Sequence, residues 1–126
     1  MKTQVNKIKA ELQQFIGTEY LFKLPLIGTV YTDGLQYLAF EANCFWLITD
    51  ASVIAKSLSN RSSFITIDFK RLSEKEQFEK QCEAIINYSD GNDKIFETHR
   101  YNVTDFPLDE LRLFFVDNTL MLPSEY

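Results

Sequence analysis

The segment YTDGLQYLAFEANCFWLITDASVIAKSL, residues 31–58, decides the fold because it carries the densest apolar pattern in the chain. Thr32 or Asp33 has a side chain that can cap a helix N-terminus, and four apolar residues at helical spacing follow. Those residues are Leu35, Leu38, Ala39 and Ala42. Asn43 is a weak helix former and predicts an interruption. The first half of the segment therefore predicts a helix over residues 33–42.

The second half of the segment repeats the helical spacing on one face. Its apolar positions are Leu47, Ile48, Ala51, Ile54, Ala55 and Leu58, and polar residues occupy the opposite side. This pattern predicts a helix over residues 45–58, with alanines small enough to let it lie close to a sheet. Residues 44–48, CFWLI, also fit a strand because they are aromatic and β-branched. That alternative stays open at the level of sequence.

The residues before this segment predict a helix and a connector. An apolar stripe of Val5, Ile8, Leu12 and Phe15 indicates an amphipathic helix over 3–16, with Thr3 as its N-cap and Gly17 at its end. Residues 20–31 have no clean period, and they contain Pro25 and Gly28. We interpret them as an extended connector that could add a short edge strand.

Beyond Ser63 the period changes to two, which is typical of strands. Strands are predicted at 63–70, 82–88, 94–103, 111–116 and 119–122. Turns are predicted at Asp90–Asp93, which contains Gly and Asn, and at Asp117–Asn118. Thr104 or Asp105 could cap a corner before Pro107, and residues 72–81 fit a helical turn, a loop or a strand start. The whole pattern predicts one α+β domain over residues 1–126, with N-terminal helices packed on a C-terminal antiparallel sheet of about 4–5 strands.

Charge and composition exclude several classes of protein. The net charge is −5, and residues 83–126 alone carry nine acidic side chains against three Lys and Arg. Such a region would repel a phosphate backbone, so direct binding to nucleic acid is not expected. Neither a signal peptide nor a membrane span is evident, which predicts a cytoplasmic protein with reduced thiols at Cys44 and Cys82.

Catalytic and metal-binding signatures are weak. His99 is the only histidine, and the four glycines are isolated rather than grouped in a phosphate loop. Cys44 follows Asn43 at the suspected helix start, but a buried structural thiol explains it better than a nucleophile. Zinc and calcium spacings are missing from the sequence. We therefore expect no catalytic residue, no metal and no cofactor.

Five residues are candidates for binding: Tyr31, Asp33, Trp46, Asp109 and Glu110. The first hypothesis is a non-catalytic interaction module whose acidic C-terminal third contacts a basic protein surface. The alternative is a small-molecule-binding protein or minor enzyme with a pocket between the central helices and the sheet. In that alternative Tyr31, Asp33 and Trp46 lie at the mouth of the pocket. A homodimer formed through an edge strand is compatible with both.

Three strings carry a resemblance: YTDG at 31–34, WLI-D at 46–50 and LPSEY at 122–126. With them, the chain resembles a family of small uncharacterised bacterial proteins, a domain of unknown function often found in phage, plasmid or other mobile-element settings. The resemblance covers about residues 3–58 and 82–126. It implies a bacterial or mobile-element origin and no established enzyme activity, and it transfers no site residue. With such an origin, the expected interaction module could be an inhibitor or accessory factor.

Overall fold

The computed structural model describes residues 2–16, 20–102 and 106–126. In chain order its elements are α1 (Lys2–Leu12), β1 (Leu21–Leu24), β2 (Thr29–Thr32), α2 (Asp33–Glu41), α3 (Phe45–Leu58), β3 (Phe64–Arg71), α4 (Glu74–Lys80), β4 (Ala84–Ser89), β5 (Ile95–Tyr101), β6 (Glu110–Val116) and β7 (Thr119–Met121). A 3₁₀ turn at Pro123–Glu125 follows β7. The predicted α+β class is confirmed.

The sheet is larger than predicted and is mixed. Its described strands run in the order β1-β2-β7-β6-β3-β4-β5, so seven strands replace the expected four or five. All neighbours are antiparallel except β2 and β7, which pair in parallel through Val30–Thr119 and Tyr31–Leu120. The predicted purely antiparallel, C-terminal sheet was therefore wrong, because the N-terminal connector also contributes two strands.

The connector forms a hairpin of two short strands, where one possible edge strand was expected. β1 pairs with β2, and the amides of Ile27 and Gly28 both donate to the carbonyl of Leu24 to close the turn. Gly28 has φ +81°, a conformation that glycine adopts without steric cost. Four-residue strands are too short to show a period, which is why the sequence indicated only a connector with a possible edge strand.

The central segment forms two helices, as predicted. The Thr32 side chain caps α2 by accepting from the amide of Leu35, which settles the choice between Thr32 and Asp33. Asn43 has φ +51° and interrupts the helical path, and α3 begins at Phe45. The strand alternative for 44–48 was wrong, because burial of a helical face from Leu47 to Leu58 outweighs the local β propensity.

α1 is shorter than predicted, and of the three alternatives for residues 72–81 the helical one formed. α1 ends at Leu12, earlier than residue 16, and the amides of Gln14 and Phe15 donate to carbonyls three residues back in a tighter turn. Thr3 lies inside α1, which begins at Lys2, so the prediction that Thr3 is the N-cap was wrong. The expected roles of Gly17, Thr104 and Asp105 lie outside the described residues. Residues 74–80 form α4, which opens on a capping box of Ser73 and Glu76.

The helices α1 to α3 and one face of the sheet enclose the core. The largest side chains with less than 2% exposure are Tyr88, Phe106, Ile8, Leu35, Leu38, Leu47, Ile48, Ile65, Ile67, Ile86, Leu108 and Leu113. Both cysteines are buried and free. These side chains fill the space between α2, α3 and the sheet, where the sequence had suggested a pocket.

Strand register defines two ends of the sheet. Lys70 pairs with Glu110, Arg71 with Ala84, and Ala84 with Tyr101. Strands β4 and β6 therefore begin, and β3 and β5 end, at the same end of the sheet, which we call the lower end. Thr32 of β2 and Met121 of β7 lie toward this end. The turns after β4 and β6 lie at the opposite, upper end.

Within the described ranges, none of the helices has the length and apolar character needed to cross a bilayer.

Candidate functional site

Two of the three sequence strings meet at the lower end of the sheet. Oε1 of Glu125, in LPSEY, accepts a hydrogen bond from Oγ1 of Thr32 at 2.6 Å and from the amide of Leu122 at 3.0 Å. Oε2 accepts from the amide of Gly34 at 3.2 Å, so the carboxylate lies over the N-terminus of α2. We call this arrangement the tail clamp. It joins YTDG to the last residues of the chain.

The chemistry of the tail clamp is structural. Glu125 is only 8% exposed, and desolvation by burial raises the pKa of its carboxyl group. Both oxygens accept hydrogen bonds, and the nearby helix N-terminus favours negative charge. Sequence reasoning missed Glu125, because nothing local marks a carboxylate that will be buried by contacts about 90 residues away.

Tyr31 and Asp33 lie beside this clamp. Tyr31 is 7% exposed, its ring stacks on Phe22 with 5.5 Å between centroids, and its hydroxyl donates to Gln36 Oε1 at 2.8 Å. Asp33 is the first residue of α2. Both side chains therefore belong to the packing of the β2–α2 junction and do not line the cavities described below.

The third string, WLI-D, lies on the same face of the sheet but toward its β5 edge. Trp46 is half-buried and contacts Tyr101 of β5 and Phe106, with centroid distances of 5.5 and 6.5 Å. Asp50 lies one helical turn further along α3 and accepts from the Tyr101 hydroxyl at 3.1 Å. Tyr31 and Trp46 thus have different neighbours, and the expected grouping of Tyr31, Asp33 and Trp46 around one mouth does not occur.

Polar groups continue along β5 from this point. Nε2 of His99 and Oε2 of Glu97 lie 2.8 Å apart, and the His99 ring packs edge-on against Tyr88. Tyr88 is fully buried, and burial together with the charges of Asp50 and Glu97 raises its pKa. His99 has a carboxylate partner but no cysteine or serine beside it in the described contacts, so the geometry does not build a nucleophile–base pair.

Asp109 and Glu110 line a cavity of about 730 Å³ between α1, the start of β6 and the C-terminal turn. Its leucines are Leu12, Leu108, Leu111 and Leu122, and its charged residues are Lys9, Arg71, Asp109, Glu110 and Arg112. A second cavity of about 410 Å³ on the other side of β6 shares Glu110, Leu111 and Arg112. We call the two together the β6 groove.

Ion pairs fix the charged rim of the β6 groove. Arg71 Nε lies 3.4 Å from Asp109 Oδ1, and a second guanidinium nitrogen of Arg71 donates to the carbonyl of Phe106. Arg112 binds both carboxylate oxygens of Asp68, at 2.7 and 3.2 Å. Asp109 remains 82% exposed, so it can contact a ligand without leaving Arg71.

The five predicted binding residues are therefore divided among three places near the lower end. Asp109 and Glu110 share the β6 groove, Tyr31 and Asp33 adjoin the tail clamp, and Trp46 belongs to the Asp50–Tyr101 cluster. Strands β5 and β6 are three sheet positions apart, about 14 Å at ordinary strand spacing. Among the residues that the structure describes, no group of three or more His, Cys, Asp or Glu is placed to hold a metal ion.

Comparison with known proteins found no match among curated proteins or solved structures. A family model matches residues 6–126, which include all of the sites described above. Its description is "Family of unknown function (DUF6876)". The chain therefore belongs to this family of unknown function.

Proposed function

We propose that this chain is a non-catalytic protein-interaction module that binds a segment of a partner protein in the β6 groove. The single observation that carries the proposal is the cavity of about 730 Å³ with a leucine floor and a charged rim. A second cavity shares Glu110, Leu111 and Arg112 with it, and a chain segment crossing β6 could contact both.

The chemistry of the rim supports a partner segment with basic and apolar side chains. Arg71 and Arg112 already engage carboxylates, so their charge is partly neutralised. Asp109 and Glu110 remain exposed beside them and can accept from Lys or Arg of a partner. Charge complementarity of this kind contributes mostly to association rate and specificity.

Site-directed crosslinking tests this proposal. A photo-reactive residue at Gln13, which is exposed and lines the groove, should capture a partner in a lysate of the source organism. The same residue at Asn92, exposed in the upper-end turn, is the positional control. Glu110→Lys should abolish capture, whereas Asp93→Lys makes the same charge change at the upper end and should not. Equal capture from both positions, or capture indifferent to Glu110→Lys, would refute the proposed groove.

A small molecule in the same groove is the second candidate function. The volume falls within the range of about 300–1,000 Å³ found for ligand sites. This candidate predicts that a compound co-purifies with the protein and is detected by native mass spectrometry. Gln13→Trp, which would project a large ring over the cavity, should then remove the compound. A protein partner instead predicts no bound compound and site-dependent crosslinks.

We further propose the cellular setting that the sequence suggested, a cytoplasmic bacterial protein encoded on a mobile element and acting as an inhibitor or accessory factor. The two free cysteines support a reducing compartment. Cell fractionation and the genes beside the coding sequence test this setting. A homodimer formed through the edge strand β1 or β5 remains a proposal, and light scattering after size-exclusion chromatography would detect it.

A further inference from the structure

A second candidate site lies at the N-terminal half of α3, away from the β6 groove. Trp46 and Asp50 occupy one face of the helix and both contact Tyr101 at the end of the edge strand β5. All three residues are half-buried, so the two rings and the carboxylate are partly open to solvent. We call these three residues the α3–β5 recess.

A buried hydroxyl adjoins this recess. Tyr88 is 0% exposed, and its hydroxyl, like those of Thr29 and Ser52, has no hydrogen-bond partner among the described residues. The ring of Tyr88 packs edge-on against His99, at 5.7 Å between centroids, on the sheet face that also carries Tyr101. Strand register sets Tyr88 opposite Glu97, with His99 two positions and Tyr101 four positions further along the same face of β5. Buried hydroxyl groups in native proteins are almost always paired, so this one calls for an explanation.

The electrostatic character of the recess is negative. Asp50 and Glu97 provide two carboxylates, and the Glu97 carboxylate contacts His99. Arg61 and Lys94, which flank β5 in space, lie over the ring of Phe96, and Arg100, next to Tyr101 on β5, belongs to the opposite face of the strand by alternation. Two electron-rich rings, a carboxylate and a hydroxyl acceptor are the groups that recognise an organic cation with N–H donors.

We propose that the α3–β5 recess binds a guanidinium or primary ammonium group. Asp50 accepts its N–H donors, the faces of Trp46 and Tyr101 cover its apolar surface, and the Tyr88 hydroxyl becomes its additional acceptor when the Tyr101 ring shifts. The group could belong to a free small molecule or to an Arg or Lys side chain of a partner. This site is independent of the β6 groove, so it stands whether or not the proposed function holds.

Trp46 is the only tryptophan, so its fluorescence reports on the recess directly. The full chain is titrated with N-acetylarginine amide and with N-acetylcitrulline amide, which has nearly the same shape without the charge. Tetramethylammonium, a cation without N–H donors, and potassium chloride at equal ionic strength are further controls. We expect a saturable change with the arginine probe and at least tenfold weaker binding of the other three.

Variants separate a binding role from a structural one. Asp50→Asn should weaken binding of the arginine probe at least tenfold, and Glu110→Lys in the β6 groove should leave it unchanged. Tyr88→Phe should weaken binding several-fold while the melting temperature stays equal or rises, because it removes a hydroxyl without a partner. Loss of binding by Glu110→Lys would show instead that the probe occupies the β6 groove.

A short peptide with one arginine distinguishes the two sources of the cation. Binding of the peptide as tight as that of the amide indicates a partner side chain, and much weaker binding indicates a free small molecule. Either result supports the cation site. The proposal is overturned if the arginine probe gives no saturable change, if the citrulline probe binds equally well, or if Asp50→Asn binds like the wild type.

Discussion

The tail clamp makes a sharp prediction for Gly34→Ala. Gly34 lies in the first turn of α2 with ordinary helical backbone angles, so alanine fits the local conformation. In a free helix this change would stabilise the fold by about 0.5–1 kcal/mol. A Cβ at this position, however, would lie 2.7 Å from Glu125 Oε1, 2.7 Å from Leu122 Cδ1 and 2.8 Å from Glu125 Cδ.

These contacts are too short, so the buried side chains of Glu125 and Leu122 must move. The movement would strain the core and lengthen the bonds that Glu125 accepts from Thr32 and from the amide of Gly34. Overpacking of this kind costs about 1–3 kcal/mol, and weakened hydrogen bonds to a buried carboxylate add about 1–3 kcal/mol. After the gain in helix propensity, we expect Gly34→Ala to lower the free energy of unfolding by about 2–4 kcal/mol.

Urea unfolding of the wild type, Gly34→Ala, Glu125→Ala and the double variant measures this effect. Because both changes act on the same contact, the double variant should be less destabilised than the sum of the single variants, by about 0.5–3 kcal/mol. A Gly34→Ala protein that is more stable than the wild type would refute the close approach of the tail to α2. Strict additivity would show that Gly34 and Glu125 do not interact.

Three further predictions follow from burial and hydrogen bonding. Burial raises the folded-state pKa of Glu125 above its usual 4.5, so the contribution of Glu125 to the free energy of unfolding should increase as the pH falls from 7 toward 4.5. Urea unfolding at several pH values should show this increase in the wild type but not in Glu125→Gln. Burial and the hydrogen bond to Glu11 raise the pKa of Tyr37 to about 12, so the absorbance titration of the wild type minus Tyr37→Phe should have its midpoint there, and a midpoint near 10 would contradict the contact. Ile48→Ala should cost about 2–5 kcal/mol because Ile48 is fully buried, whereas Phe78→Ala on α4, 87% exposed, should change stability by less than about 0.5 kcal/mol in the same denaturant assay.

Segments with a long, regular period were predicted well. The helical faces of residues 33–42 and 45–58 and the alternation from Phe64 onward appear as α2, α3 and β3. The turn at Asp117–Asn118 also formed as expected, with both residues at positive φ. In these segments the local sequence pattern and burial in the folded protein favour the same secondary structure, so the pattern alone was enough to predict it.

Short segments were predicted poorly. β1 and β2 have four residues each, and β2 acquires its parallel partner β7 from the other end of the chain. The α4 helix begins at the capping box of Ser73. This signal is present in the sequence, but the strongly charged residues that follow made the segment equally compatible with a loop. When the pairing partner of a short strand is distant in the sequence, the residues of the strand itself carry little information about that pairing.

The candidate sites divide in the same way. Trp46 was expected at the mouth of a pocket, and Asp109 and Glu110 were marked by the acidity of the C-terminal third. Tyr88 and Glu125 had no such mark, because a buried tyrosine in a strand and a glutamate near the C-terminus are ordinary in sequence. Only the fold shows that the buried Tyr88 hydroxyl lacks a partner among the described residues and that the Glu125 carboxylate bridges two ends of the chain.

The sequence by itself determined the α+β class, the two central helices with their break at Asn43, and the apolar faces that fill the core. These follow from periodicity, which needs only neighbouring residues. The tertiary structure decided the seven-stranded mixed sheet, the closure of YTDG by LPSEY and the separation of Trp46 from Tyr31. Those features depend on contacts between residues as far as 93 positions apart, such as Thr32 with Glu125, and no local pattern encodes them.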